Sequence, residues 1–162
     1  MPENGTYDVQ IEQLPPRPIA VIRARARFDE LSSVVPRLCG EAWEAVKAHP
    51  EVQVPGALML AIYHPLPTDD PNAANEIDIA VGVEVSGSFE DAGSLSYSTT
   101  PEGNTAHTTH LGPYQKLGDA HAAVKRYCEE NGHKITGVRW EVYGHWTEDE
   151  SRLQTDVFYS LT

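Results

Sequence analysis

One order of elements runs through this 162-residue chain twice, and that repetition limits the fold more than any other feature. Apolar patterning predicts strands over residues 7–13 and 19–26. The recurrence of Leu31, Val34, Val35, Leu38, Ala42, Trp43 and Val46 at three- and four-residue spacing then predicts a helix over 29–49. Asp29 is the expected N-cap, and Pro36 is expected to kink the helix or to mark its true start. Two more strands are predicted at 57–64 and 76–85. The second half replays the order: strands at 94–100 and 105–111, a helix at 114–130 stopped by Asn131-Gly132, and strands at 137–146 and 154–161. Residues 59–63 (Met-Leu-Ala-Ile-Tyr) align with 139–143 (Arg-Trp-Glu-Val-Tyr), and the segment from Asp78 aligns with that from Asp156. The expected architecture is therefore α+β: a duplicated strand-strand-helix-strand-strand unit forming an antiparallel sheet in a single domain, with repeats over 7–85 and 94–161. Both helices are expected on one face, with a ligand groove between pseudo-symmetric halves.

Twelve basic against 24 acidic residues leave a formal charge of −12. Nucleic-acid affinity depends on neutralising phosphates with basic side chains, so direct nucleic-acid binding is not expected. Cys39 and Cys128 stand 89 positions apart with no Cys-x-x-Cys partner, and read as buried free thiols in a reducing compartment. The N-terminal residues carry neither a basic nor an apolar signal region, and no apolar run approaches 18 residues. A cytoplasmic protein without membrane contact, monomeric and with no cofactor, is the expectation.

Side chains alternate along a strand, so the choice of a helix-facing row fixes the other row. On the strand 137–146, Val138, Trp140 and Val142 form the apparent inward row, which sends Arg139, Glu141, Tyr143 and His145 to the opposite face. On 57–64, Leu58, Leu60 and Ile62 are expected under the helix, and Met59, Ala61 and Tyr63 then share the face of Glu141. Ala80, Gly82 and Phe158 are expected on that face too, the small residues leaving room. Met59, Tyr63, Tyr143 and Phe158 around one carboxylate would suit an organic cation, by cation–π attraction and a charge-assisted pair. Burial would raise the proton affinity of Glu141, which also fits a general acid or base. A solvated Glu141 paired with Arg139 or Arg23 is the alternative on the same pattern.

The seven histidines invite a metal or haem reading, but His107 and His110, three apart on a strand, point to opposite faces and cannot chelate together. No metal site is expected. Neither a Gly-x-Ser-x-Gly elbow nor a glycine-rich phosphate loop is present.

His110-Leu111-Gly112-Pro113-Tyr114 entering a helix, Glu130-Asn131-Gly132, Trp140-Glu141-Val142-Tyr143, and Thr155-Asp156-Val157-Phe158-Tyr159 near the end together resemble the GyrI-like family, the effector-binding domains of bacterial transcription activators. The resemblance covers essentially the whole chain and is most specific from His110 to Leu161. It implies a duplicated, SOUL-like α+β fold whose strand glutamate, matching Glu141, meets cationic or amphiphilic ligands among aromatic residues, with Tyr143 and Tyr114 carried over. Tyr63 enters only as the repeat counterpart of Tyr143, and a helix-turn-helix before the repeat is not expected. Three functions follow as expectations: multidrug-type binding of small cationic or amphiphilic aromatics by Glu141, Tyr143, Tyr114, Tyr63, Met59 and Phe158; hydrolysis of reactive electrophilic toxins with Glu141 as the catalytic group; or an acidic protein-interaction role such as gyrase modulation.

Overall fold

The computed structural model describes residues 7–54, 58–91, 93–145 and 147–162. The predicted strand ends at Ala57 and Trp146 lie outside these residues. Ten regular elements follow in the predicted order: β1 (Gln10–Leu14), β2 (Pro18–Arg27), α1 (Leu31–Ala48), β3 (Met59–Pro65), β4 (Glu76–Glu84), β5 (Ser96–Thr99), β6 (Gly103–Leu111), α2 (Leu117–Glu130), β7 (Ile135–Tyr143) and β8 (Gln154–Leu161). The fold is α+β with antiparallel strand pairing. No helix among the described residues is long and apolar enough to cross a membrane.

The compact units are not the sequence repeats. One unit is made of residues up to 15 together with 101–162, the other of 16–100. Within the first the strand order is β1-β6-β8-β7, and within the second β3-β4-β2-β5. The first strand of each repeat has thus changed sides: β1 pairs with β6, and β5 pairs with β2. Residues 101–102 therefore join the two units, and Gly103 and Asn104 already pair with Leu14 and Gln13 of β1.

In the 16–100 unit, α1 buries Val35, Leu38, Ala42 and Val46 of the predicted stripe, while Trp43, expected on it, is exposed. Val46 joins Ala20, Val52, Val83, Val85 and Leu95 in the core, with Met59 and Ile22 packed against it. Pro36 sits inside α1, and Asp29 does not cap it; its carboxylate is held by Arg27 instead. Gly82 makes no room for a ligand, contrary to expectation. A Cβ there would lie within contact distance of the Ala20 backbone, so the glycine serves the close approach of β2 to β4.

In the other unit, α2 lays Ala120, Val124 and Cys128 onto Ala106, Val157, Tyr159 and Leu161, with Tyr7, Val9 and Leu117 at the margin. Asn131 ends the helix and Gly132 follows at φ +75°. Both cysteines are free thiols, but only Cys128 is buried; Cys39 is half-buried.

Candidate functional site

The two faces of β7 are told apart by what each touches. Arg139 pairs with Tyr159, Glu141 with Val157 and Tyr143 with Thr155, and Val157 and Tyr159 belong to the core under α2. Residues opposite one another across an antiparallel pair share a face. Glu141, Arg139 and Tyr143 therefore look toward the helix, not away from it. The same holds on β3, where Met59 pairs with Val83 and packs into the core that contains Val46 of α1. Tyr63, opposite Ile79, follows by parity and is 7% exposed. The expected parity of both strands is thus reversed.

The reason is physical. Trp140 does not enter the core under α2. It stacks on Phe158 on the other face, with centroids 5.0 Å apart and planes 9° apart, and Phe158 stacks in turn on His107 at 4.4 Å. Both faces of β3 and β7 carry buried side chains (Leu60, Ala61, Ile62 and Tyr63 in one; Trp140 and Glu141 in the other), so hydrophobic alternation holds no parity signal there. Phe158, expected beside Glu141, is on the opposite face and is no wall of the same site.

What the fold does assemble is a polar chain in the α2 core. Glu141 is 7% exposed. Tyr143, two residues on and on the same face, donates its hydroxyl to Glu141 Oε1 at 2.6 Å. From α2, His121 Nε2 lies 2.6 Å from Glu141 Oε2, and its Nδ1 lies 2.7 Å from the Tyr159 hydroxyl. Burial, above all, pushes the Tyr159 phenol up to about 12; nearby Arg139 opposes the shift and Glu141 adds to it. His121 and Tyr159 were not singled out as site residues by the sequence pattern. The signal was present: His121 lies on the sheet-facing stripe of α2, between Ala120 and Val124, where a histidine needs a polar partner.

Tyr114 reaches this site through a pinned turn. Gly112 adopts φ +128°, which only glycine takes readily, and its N–H bonds to the Leu153 carbonyl at 2.8 Å. Buried His110 holds the Pro113 carbonyl through Nε2 at 3.0 Å, and its Nδ1 is 2.9 Å from the Tyr7 hydroxyl. The turn delivers a 41% exposed Tyr114 ring edge-on to Tyr143, centroids 6.1 Å apart. Glu141, Tyr143 and Tyr114 are thus brought together within one unit; Met59 and Tyr63 belong to the other. A concavity along α1, lined by Pro36, Arg37, Gly40 and Glu41 among others, contains none of the candidate residues.

The fold is shared with solved structures of low sequence identity. The EcmrR C-terminal domain matches with TM-score 0.73 at 17% identity, covering 96% of this chain and 98% of that one. EcmrR in its DNA complex matches at TM-score 0.76 and 16% identity, and there the chain covers 57% of the longer EcmrR chain. SAV2435 bound to tetraphenylphosphonium matches at TM-score 0.65 and 12% identity (96% and 94% covered), and a hydrolase encoded by lin2189 from Listeria innocua at 0.61 and 10% (95% and 91%). Among curated proteins none matches the chain in sequence. Residues 7–161 match the pattern of the GyrI-like small molecule binding domain, and the chain, with its paired α+β units and its strand glutamate, belongs to that family.

Proposed function

We propose that this small-molecule binding domain takes organic cations, with the Glu141 carboxylate as charge partner and the Tyr143 and Tyr114 rings as the apolar wall. One observation carries the reading: a carboxylate 7% exposed, fixed at 2.6 Å by a tyrosine hydroxyl whose ring meets a second, partly exposed tyrosine ring. A buried carboxylate attracts a cation more strongly than a hydrated one, and aromatic faces suit a soft, poorly hydrated charge. The tetraphenylphosphonium bound to SAV2435 is such a cation and supports the same reading.

The test compares tetraphenylphosphonium with triphenylphosphine oxide, a neutral molecule of similar shape, by isothermal titration calorimetry. Glu141→Gln is expected to weaken the phosphonium by about 1.5–3 kcal/mol, ten- to hundredfold in Kd, with little effect on the oxide. Equal loss for both removes the carboxylate from the role of charge partner.

A hydrolytic reading draws on one further observation, the 2.6 Å bond from His121 to Glu141. A carboxylate oriented by a third group is the arrangement of an activated base. Glu141 would take a proton from water as the oxygen adds to a strained electrophile, and the proton would pass to the atom released. Mass spectrometry of such an electrophile after incubation separates turnover from binding.

A further inference from the structure

Tyr7 and Tyr114 are far apart along the chain, yet one buried histidine connects them. His110 is 2% exposed, and each of its ring nitrogens has a partner: the Tyr7 hydroxyl at Nδ1 and the Pro113 carbonyl at Nε2. A carbonyl only accepts, so Nε2 donates whether the ring is neutral or charged. The hydroxyl fits Nδ1 in either state, donating to a lone pair or accepting from an N–H. The Tyr7 ring also stacks on the imidazole, with centroids 6.0 Å apart and planes 29° apart, and packs on the core under α2. The same Pro113 carbonyl accepts the Lys116 N–H at 3.0 Å, closing the short turn that carries Tyr114. Two bonds thus fix the entrance of that turn, Gly112 N–H to the Leu153 carbonyl and His110 to Pro113.

We infer that Tyr7 is a positioning residue for ligand binding, acting through His110 on the turn that holds the Tyr114 ring against Tyr143. The segment before β1 thereby completes the aromatic wall of the site. This rests on the cation-binding reading, in which Tyr114 is part of that wall. A wall already in place spares the ligand the ordering cost that a loose ring would impose. Tyr143 lies within β7, whereas Tyr114 lies on the connection into α2, so a loosened turn displaces Tyr114 first. Burial, and after it Asp119 of α2, holds the Tyr7 phenol above its ordinary range, so its hydroxyl keeps the proton at neutral pH.

Two measurements on the intact chain test the inference. Amide hydrogen exchange reads the turn directly at the Gly112 and Lys116 N–H groups. Both are expected to exchange about three- to tenfold faster in Tyr7→Phe, while the Val124 amide inside α2 keeps its wild-type rate. Isothermal titration calorimetry with tetraphenylphosphonium reads the wall. Tyr7→Phe is expected to weaken binding about threefold and His110→Ala about tenfold. His110→Gln, which keeps a donor for the Pro113 carbonyl, is expected to recover most of the second loss. In a Tyr114→Ala background, Tyr7→Phe is expected to change Kd by less than about 1.5-fold. Unchanged rates at Gly112 and Lys116, equal acceleration at Val124, or the same loss of affinity with and without Tyr114 overturns the role of Tyr7 alone. If tetraphenylphosphonium binds none of these proteins, the wild type included, the cation-binding reading falls and takes that role with it.

Discussion

At the scale of single residues, the α2 side of the sheet is a buried polar chain with one loose end. Thr155 is fully buried between Tyr143 and His110, and its hydroxyl finds no hydrogen-bond partner among the described residues. An unsatisfied buried hydroxyl is costly, whereas the methyl that replaces it in valine is not. Thr155→Val is therefore expected to stabilise the protein by about 1 kcal/mol, raising Tm by about 2–4 °C in scanning calorimetry. Glu141, Tyr143 and Tyr114 were legible in the sequence because a strand Glu-x-Tyr and a Gly-Pro-Tyr turn stand out as short motifs. His121 was legible only as a histidine in need of some polar partner, and Tyr159 not at all, because it fits an ordinary apolar strand row. Only their meeting across helix and strand, 38 positions apart, gives them a role.

At the scale of elements, boundaries and order were readable and face parity was not. The helices announce themselves by a one-sided stripe. β3 and β7 are buried on both sides, so the choice between their two rows depends on partners that periodicity does not encode. β6 shows the contrasting case. His107 faces away from α2, as its spacing from His110 requires, and forms a clasp joining three strands. Its Nδ1 is 3.0 Å from Glu12 of β1 and its Nε2 3.3 Å from Asp156 of β8, which also accepts from Thr109 at 2.7 Å. The hydrogen bond to Asp156, above all, raises the His107 pKa from 6.5 against the opposing effect of burial. Asp156 is lowered from 3.8: burial opposes this, and the bonds from His107 and Thr109 outweigh it. The signs agree. A raised histidine contributes stability below its unfolded value and loses it as pH rises through the folded one. A lowered aspartate contributes above its unfolded value and loses it as pH falls. The clasp is strongest between about pH 4 and 6.5, the two unfolded values. His107→Gln is thus expected to reduce stability most near pH 5 and less above pH 8, a difference of about 0.5–1 kcal/mol for a partly exposed pair, seen by urea denaturation at both pH values. The lost stacking on Phe158 lowers both curves equally and leaves that difference intact.

At the scale of the whole molecule, the duplication was visible because element order and the placement of Tyr and Asp recur together. The exchange of first strands was not visible, because β1 and β5 carry no label naming their mates. β1 is short, and three of its five residues are exposed. What binds it to β6 is backbone pairing, the Tyr7–His110, Gln13–Asn104 and Glu12–His107 contacts, and the bond that Thr108 Oγ1 donates to the Asp8 carbonyl. Contacts between segments so distant along the chain close late and slowly.

That exchange has a consequence for synthesis on the ribosome. Gln10–Leu14 leaves the exit tunnel some ninety codons ahead of its mate Gly103–Leu111. The nascent protein must therefore carry a solitary β-segment until that mate emerges. The acidic residues Asp8 and Glu12 in and beside that segment are the kind of charge that keeps an idle edge from recruiting a neighbour in the polysome.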